Sequence, residues 1–144
     1  MSLKFSDEVI NSLLDLANDA GNTILEYYQT NMKVRKKADQ SLVTEADEKA
    51  ENLILHGLTK LSPSIPAIGE EAYSAGKRHN ISKGSFWLVD ALDGTKEFVN
   101  KRDEFTVNIA LIEAGIAIFG VVHAPALKKT FWGGTFGAFS KNKE

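Results

Sequence analysis

The stretch that decides the fold is FTVNIALIEAGIAIFGVV, residues 105–122, in which two apolar runs flank a short turn. Every second residue from Phe105 to Leu111 is large and apolar, which is the period of a strand with one buried face. Glu113-Ala114-Gly115 predicts a tight turn, and Ile116–Val122 predicts the second strand of an antiparallel hairpin.

Two amphipathic helices are predicted before this hairpin. With Ser6 as N-cap, apolar residues recur at spacings of three and four, so the first helix runs to about Gln29. A second helix begins near Thr44 and ends before Pro63. Short extended segments are predicted at Lys33–Lys37, Ala67–Ile68, Phe86–Val89, Thr130–Trp132 and Ala138–Phe139, and a mobile loop at Ala72–Gly84. This order predicts an α+β fold, with two N-terminal helices packed on one face of a mainly antiparallel sheet.

Composition narrows the class of protein. The chain has 144 residues, 43% of them hydrophobic and 25% charged, which fits one globular domain and excludes a disordered chain. A net charge of -2 gives no general attraction to nucleic acid or to an anionic membrane. The longest apolar stretch, Ala114–Val122, is too short to span a bilayer, and no signal peptide is recognisable. We therefore expect a soluble, cytoplasmic protein with neither nucleic acid nor a membrane as its partner.

The densest chemical signal is VDALDGT, residues 89–95. Asp90 follows an apolar strand and Asp93 comes one turn later, so their two carboxylates require either a raised pKa or a bound cation. Gly94 and Thr95 then offer backbone N–H groups to an anion. The pattern fits a metal-binding pair beside a phosphate site. It fits a simple turn equally well, with Asp90 as a cap and Asp93-Gly94 as the bend.

Three further acids have both a structural and a functional interpretation. Glu70 and Glu71 follow a short strand, so one of them can face a site while the other faces solvent. For Glu71, exposure to solvent is the simpler interpretation. The spacing from Thr44 to Asp47 is that of a capping box, which favours a structural role for Asp47. All the candidate ligands are oxygens and there is no cysteine, so Mg²⁺ fits better than zinc or iron.

The remaining polar groups give weaker signals. The three histidines, His56, His79 and His123, are scattered along the chain, and we interpret them as structural or surface residues. The basic cluster at Lys33–Lys37 is typical of a solvated edge; the alternative is that it attracts an anionic substrate. The sequence has no P-loop, no dinucleotide-binding glycine motif and no serine-hydrolase elbow.

Several motifs together resemble the inositol monophosphatase superfamily of Mg²⁺-dependent, lithium-sensitive phosphatases. They are LVTEAD at 42–47, IGEE at 68–71, WLVDALDGTKEF at 87–98, EFTVNIALI at 104–112 and GVVHAP at 120–125. Their order and spacing agree from about residue 6 to residue 139. Within the superfamily, Lys96-Glu97 and the segment 104–108 resemble the bacterial 3′(2′),5′-bisphosphate nucleotidases more than the inositol phosphatases.

This resemblance implies a role for each motif residue. Thr95, paired with Asp47, would orient and activate the attacking water, so that Asp47 is both a cap and a catalytic group. The amides of Gly94 and Thr95 would hold the phosphate. Two Mg²⁺ ions would be held by Glu70, Asp90, the backbone carbonyl of Leu92, and Asp93.

The resemblance implies a phosphoric monoester hydrolase acting on a 3′(2′),5′-bisphosphorylated adenosine nucleotide. Two alternatives stay open: an inositol-1-phosphate phosphatase, and a non-catalytic metal-binding or truncated module. Members of the superfamily continue into a second α/β half of a layered sandwich, which carries a further acidic ligand. We therefore expect residues 1–144 to be an N-terminal metal-binding domain that is poorly active alone. An unpaired sheet edge left by truncation would favour a homo-oligomer.

Overall fold

A computed structural model describes residues 3–28, 34–36, 42–71 and 84–142. This part of the chain contains the helices α1 (Asp7–Tyr28), α2 (Glu45–Leu61) and α3 (Thr95–Val99), and residues 70–71 are helical as well. The strands are β1 (Val34–Lys36), β2 (Leu42–Thr44), β3 (Ala67–Gly69), β4 (Ser85–Asp93), β5 (Thr106–Glu113), β6 (Ile116–Ala124), β7 (Lys129–Gly134) and β8 (Gly137–Asn142).

The main sheet follows chain order, β3-β4-β5-β6-β7-β8, and only the β3–β4 pair is parallel. Strands β1 and β2 form a separate antiparallel pair. The β5–β6 hairpin turns on Ala114 and Gly115, which both have positive φ, 51° and 78°. A two-residue turn of this kind matches the twist of the flanking strands, which explains the tight connection.

Both long helices pack on one face of this sheet, α1 against β5 and β6 and α2 against β3 and β4. Alternate residues of the strands fill the space between the layers, and Trp87 is fully buried there. Its indole Nε1–H donates to Ser62 Oγ at 2.8 Å, so the polar edge of the largest core side chain is satisfied where α2 ends.

The predicted α+β class, the helices on one sheet face and the hairpin are confirmed. Ser6 caps α1 as expected, because its Oγ accepts from the Val9 N–H at 3.2 Å. The prediction that the strand at Phe86–Val89 ends before Asp90 is wrong, because β4 continues to Asp93. The predicted mobile loop lies outside the described residues, except for its last residue, Gly84. Within the part of the chain that the structure describes, no helix is long and apolar enough to cross a membrane.

Candidate active site

A β-bulge near the end of β4 brings two acidic side chains to one face of the sheet. Asp90 is opposite Asn108 and Asp93 is opposite Thr106, so β4 advances three residues while β5 advances two. In a regular strand, residues three apart point to opposite faces. The extra residue of the bulge offsets this, so Asp90 and Asp93 both lie on the sheet face that carries Asn108 and Thr106. One of the two alternatives left open by the sequence had Asp90 as a cap; the structure instead has Asp90 within β4, and the chain bends at Gly94.

Negative charge is concentrated around Asp90. Burial, a hydrogen bond with Glu70 and the charges of Glu70, Asp93 and Glu71 together raise the pKa of Asp90 to about 8, and burial contributes most. A raised pKa was one of the two outcomes expected for carboxylates crowded at a strand end. Glu71, for which a solvated position was the simpler interpretation, is half-buried and belongs to this acidic group.

Asp47 connects the start of α2 to the start of α3, which follows β4. The side chain is only 3% exposed. Its Oδ2 accepts from the Thr44 N–H at 2.9 Å and from the Thr44 hydroxyl, and the Asp47 N–H donates back to Thr44 Oγ1 at 3.3 Å. Its other oxygen, Oδ1, accepts from the Thr95 hydroxyl at 2.9 Å. Burial raises the pKa of Asp47, against the lowering effect of these donors.

The capping box is therefore present, and the same carboxylate also binds Thr95. One oxygen of Asp47 closes the N-terminus of α2 while the other is directed to the candidate site. The structural and functional interpretations of this residue are compatible, because each uses a different oxygen atom.

Gly94 and Thr95 form the change from strand to helix. Gly94 has φ 89° and ψ 38°, a left-handed conformation that glycine adopts without strain. A Cβ at this position would also lie 3.1 Å from the carbonyl oxygen of Glu104. Thr95 then begins α3, and its Oγ1 lies 3.3 Å from the carbonyl oxygen of Leu92. The predicted residues Asp47, Leu92, Gly94 and Thr95 are thus brought together.

The donor set suits a hard divalent cation. The groups around Asp90 are carboxylates, and the Leu92 carbonyl, which belongs to the same bulge, lies 3.3 Å from Thr95 Oγ1. Oxygen ligands of this kind are those that Mg²⁺ prefers, and a cation would relieve the repulsion that raises the pKa of Asp90. Among the described residues, no three acidic, histidine or cysteine side chains already converge on one metal-sized point.

Sequence reasoning missed one buried residue beside this site. Glu51 lies one helical turn after Asp47 and is 2% exposed. Thr44, which the capping-box spacing singled out, is fully buried with its hydroxyl on Asp47. For Glu51 the available signal is its position four residues after Asp47, on the same side of α2. Spacing does not reveal its partner, because Glu71 is distant in sequence.

The histidines show no common site within the described residues. His123 is buried, and its Nδ1 lies 2.8 Å from Thr130 Oγ1, as expected for a structural residue. His56 is exposed on α2. His79 lies outside the described residues, as do Lys33 and Lys37 of the basic cluster.

Comparison with known proteins identifies the family. The model of the inositol monophosphatase family matches residues 6–143, which is nearly the whole chain. The chain therefore belongs to the inositol monophosphatase family.

Curated relatives carry a more particular name. The 3′(2′),5′-bisphosphate nucleotidase CysQ of Salmonella typhimurium is 44% identical over 127 residues, which cover 86% of this chain and 51% of that protein. CysQ of Haemophilus influenzae is 33% identical over 140 residues, covering 96% of this chain and 52% of the relative. The chain thus spans about half the length of the curated relatives that it matches.

Solved structures agree with the fold. CysQ of Bacteroides thetaiotaomicron superposes with a TM-score of 0.76 at 32% identity, over 99% of this chain and 51% of that chain. The IMPase of Thermotoga maritima gives a TM-score of 0.82 at 28% identity, over 96% of this chain and 53% of that one.

Proposed function

We propose that this chain supplies the metal-binding half of a Mg²⁺-dependent phosphomonoester hydrolase. The observation that carries the proposal is the pairing of Thr95 with the buried Asp47, beside the acidic group at Asp90. Glu70, Asp90, Asp93 and the Leu92 carbonyl would hold Mg²⁺. Bound there, the cation supplies charge neutralisation for the phosphate and activation of a water molecule.

Asp47 and Thr95 are arranged to orient and deprotonate a nucleophilic water. The Thr95 hydroxyl donates its only proton to Asp47 Oδ1, so the remaining lone pairs of Oγ1 can accept a proton from water. Burial raises the pKa of Asp47, which makes its carboxylate a stronger base than an exposed aspartate. A proton can therefore pass from water to Thr95 as Thr95 releases its own proton to Asp47.

The Gly94–Thr95 connection would hold the phosphate group. Its backbone N–H groups lie where β4 passes into α3, and amide donors of this kind bind phosphate oxygens well. A side chain at position 94 would crowd the Glu104 carbonyl. The glycine therefore lets this connection pack closely against residues 104 and 105.

The substrate that we propose is a 3′(2′),5′-bisphosphorylated adenosine nucleotide, such as adenosine 3′,5′-bisphosphate. Support comes from the CysQ relatives, which reach 45% identity and carry that activity in their names. The structural neighbour named as an IMPase in Thermotoga maritima is less similar in sequence, at 28% identity. Inositol 1-phosphate is accordingly the substrate against which the proposal must be tested.

The test measures Mg²⁺ binding and phosphate release by the same chain. Isothermal titration calorimetry of the wild type should show Mg²⁺ binding, and Asp90→Asn should abolish it. With excess enzyme and Mg²⁺, phosphate should be released from adenosine 3′,5′-bisphosphate faster than from inositol 1-phosphate. Because the chain spans half the length of its relatives, we expect slow release.

A control variant tests whether the loss of any carboxylate weakens Mg²⁺ binding. Glu48→Gln removes an exposed charge from α2, the helix that carries Asp47, and should leave Mg²⁺ binding unchanged. Faster release from inositol 1-phosphate would contradict the substrate that we propose. Absence of Mg²⁺ binding by the wild type at millimolar concentration would contradict the metal site itself.

A further inference from the structure

Glu51 is a buried acid that contacts the backbone next to a proposed metal ligand. Its side chain is 2% exposed, and its Oε1 accepts from the Glu71 N–H at 2.6 Å. Glu70 and Glu71 have helical backbone directly after β3 ends at Gly69. The Glu51 carboxylate therefore satisfies a backbone donor at the start of a helical segment, where negative charge is favourable.

Gly69 shows that this contact is tightly packed. A Cβ on Gly69 would lie 2.6 Å from Glu51 Cγ and closer still to the carboxyl group. Such a separation is far below van der Waals contact, so any larger residue at position 69 must displace Glu51. The missing side chain of Gly69 is therefore what admits the Glu51 carboxyl group to the end of β3.

Glu51 also has a fixed relation to the proposed catalytic pair. It lies four residues after Asp47 on α2, so the two side chains leave the same side of the helix. Asp47 binds Thr95, which follows β4, and Glu51 binds Glu71, which follows β3. One side of α2 thus touches both segments that carry the candidate site.

We propose that Glu51 is a positioning residue that holds the Glu70–Glu71 segment in place for metal binding. This inference rests on the proposed function, because it assigns Glu70 to the metal. Glu51 acts through the Glu71 backbone, so Glu70 is presented toward Asp90 without having to be ordered when the cation binds. Groups that orient metal ligands in this way commonly contribute about 10- to 100-fold to metal affinity.

The test compares three variants of the chain. Glu51→Ala removes the acceptor, Glu51→Gln keeps a carbonyl acceptor for the Glu71 N–H without the charge, and Gly69→Ala displaces Glu51 while leaving its carboxylate in the protein. Mg²⁺ affinity is measured by isothermal titration calorimetry, and exchange of the Glu71 amide hydrogen by NMR. Glu48→Ala, on the exposed side of α2, is the matched control.

We expect weaker Mg²⁺ binding in the variants that displace or remove the Glu51 carboxylate, with the fold retained. Glu51→Ala and Gly69→Ala should bind Mg²⁺ about 10- to 100-fold more weakly, whereas Glu51→Gln and Glu48→Ala should stay close to wild type. Exchange at the Glu71 amide should rise about tenfold or more in Glu51→Ala. If Glu51→Ala does not fold, the same Mg²⁺ and exchange changes in Gly69→Ala test the inference.

Each contrary outcome points to a different error. The positioning role is overturned if Glu51→Ala and Gly69→Ala both bind Mg²⁺ as tightly as the wild type. It is also overturned if Glu51→Gln weakens Mg²⁺ binding as much as Glu51→Ala does. In either case, Mg²⁺ binding by the wild type upholds the metal site. If the wild type binds no Mg²⁺, the proposed function fails. Hydrogen exchange at the Glu71 amide then tests separately whether Glu51 holds this segment. If exchange is unchanged in Glu51→Ala, Glu51 does not hold the segment.

Discussion

Replacing Thr44 by valine tests how strongly the start of α2 depends on the shared Asp47 carboxylate. Thr44 is fully buried, with extended backbone at φ −122° and ψ 167°. Valine has nearly the same shape and tolerates this conformation, so the substitution removes the hydroxyl without creating backbone strain. Two hydrogen bonds are lost: from the hydroxyl to Asp47 Oδ2, and from the Asp47 N–H to the hydroxyl.

The magnitude follows from these two contacts. A hydrogen bond to a buried carboxylate contributes about 1.5–3 kcal/mol, and an N-cap contributes about 1 kcal/mol. The Thr44 N–H still donates to the same oxygen at 2.9 Å, so the carboxylate keeps a partner and the loss is reduced. We expect Thr44→Val to lower the free energy of unfolding by about 2–3 kcal/mol, or Tm by about 5–10 °C.

Urea unfolding followed by circular dichroism measures this difference, and Thr44→Ser is the control. Serine keeps the hydroxyl and loses one buried methyl group, which costs about 1 kcal/mol. Thr44→Val should therefore be the less stable variant although it fills the site better. Equal stability of the two variants, or a more stable valine variant, would show that packing and not the capping box dominates here.

Three further predictions concern other parts of the fold. The pKa of Tyr28 is raised to about 12, mainly by burial and then by Asp103. The Tyr28 hydroxyl donates to Asp103 Oδ1 at 2.6 Å. Since the unfolded tyrosine ionises near pH 10, the stability of the wild type should fall between about pH 10 and pH 12. Urea unfolding at each pH should show a smaller fall in Tyr28→Phe. Ala114→Gly relieves the positive φ beside Gly115 and should raise unfolding free energy by about 0.5–1 kcal/mol; lower stability would contradict the turn geometry. Asp93→Asn, at an exposed side chain, should change stability by less than about 0.5 kcal/mol yet abolish Mg²⁺-dependent phosphate release; retained release would exclude Asp93 as a ligand.

The helices and the hairpin were predictable because each buries one face, and burial imposes a period that can be read along the chain. The β5 strand shows this directly, since Phe105 before it and Val107, Ile109 and Leu111 within it are all buried. Glu51 had no comparable signal. Its burial depends on the approach of β3 to α2 and on the missing side chain of Gly69, which sequence spacing does not reveal.

The bulge in β4 explains why the two aspartates of the VDALDGT segment could not be placed from periodicity. Ala91 and Leu92 are consecutive and both buried, which a strand with strict alternation does not allow. The register skips both residues, so the Leu92 carbonyl lies outside the β4–β5 ladder and close to the Thr95 hydroxyl. Asp90 and Asp93 meanwhile share a face. A regular strand would place these acids on opposite faces, so the proposed metal site depends on one extra residue in β4.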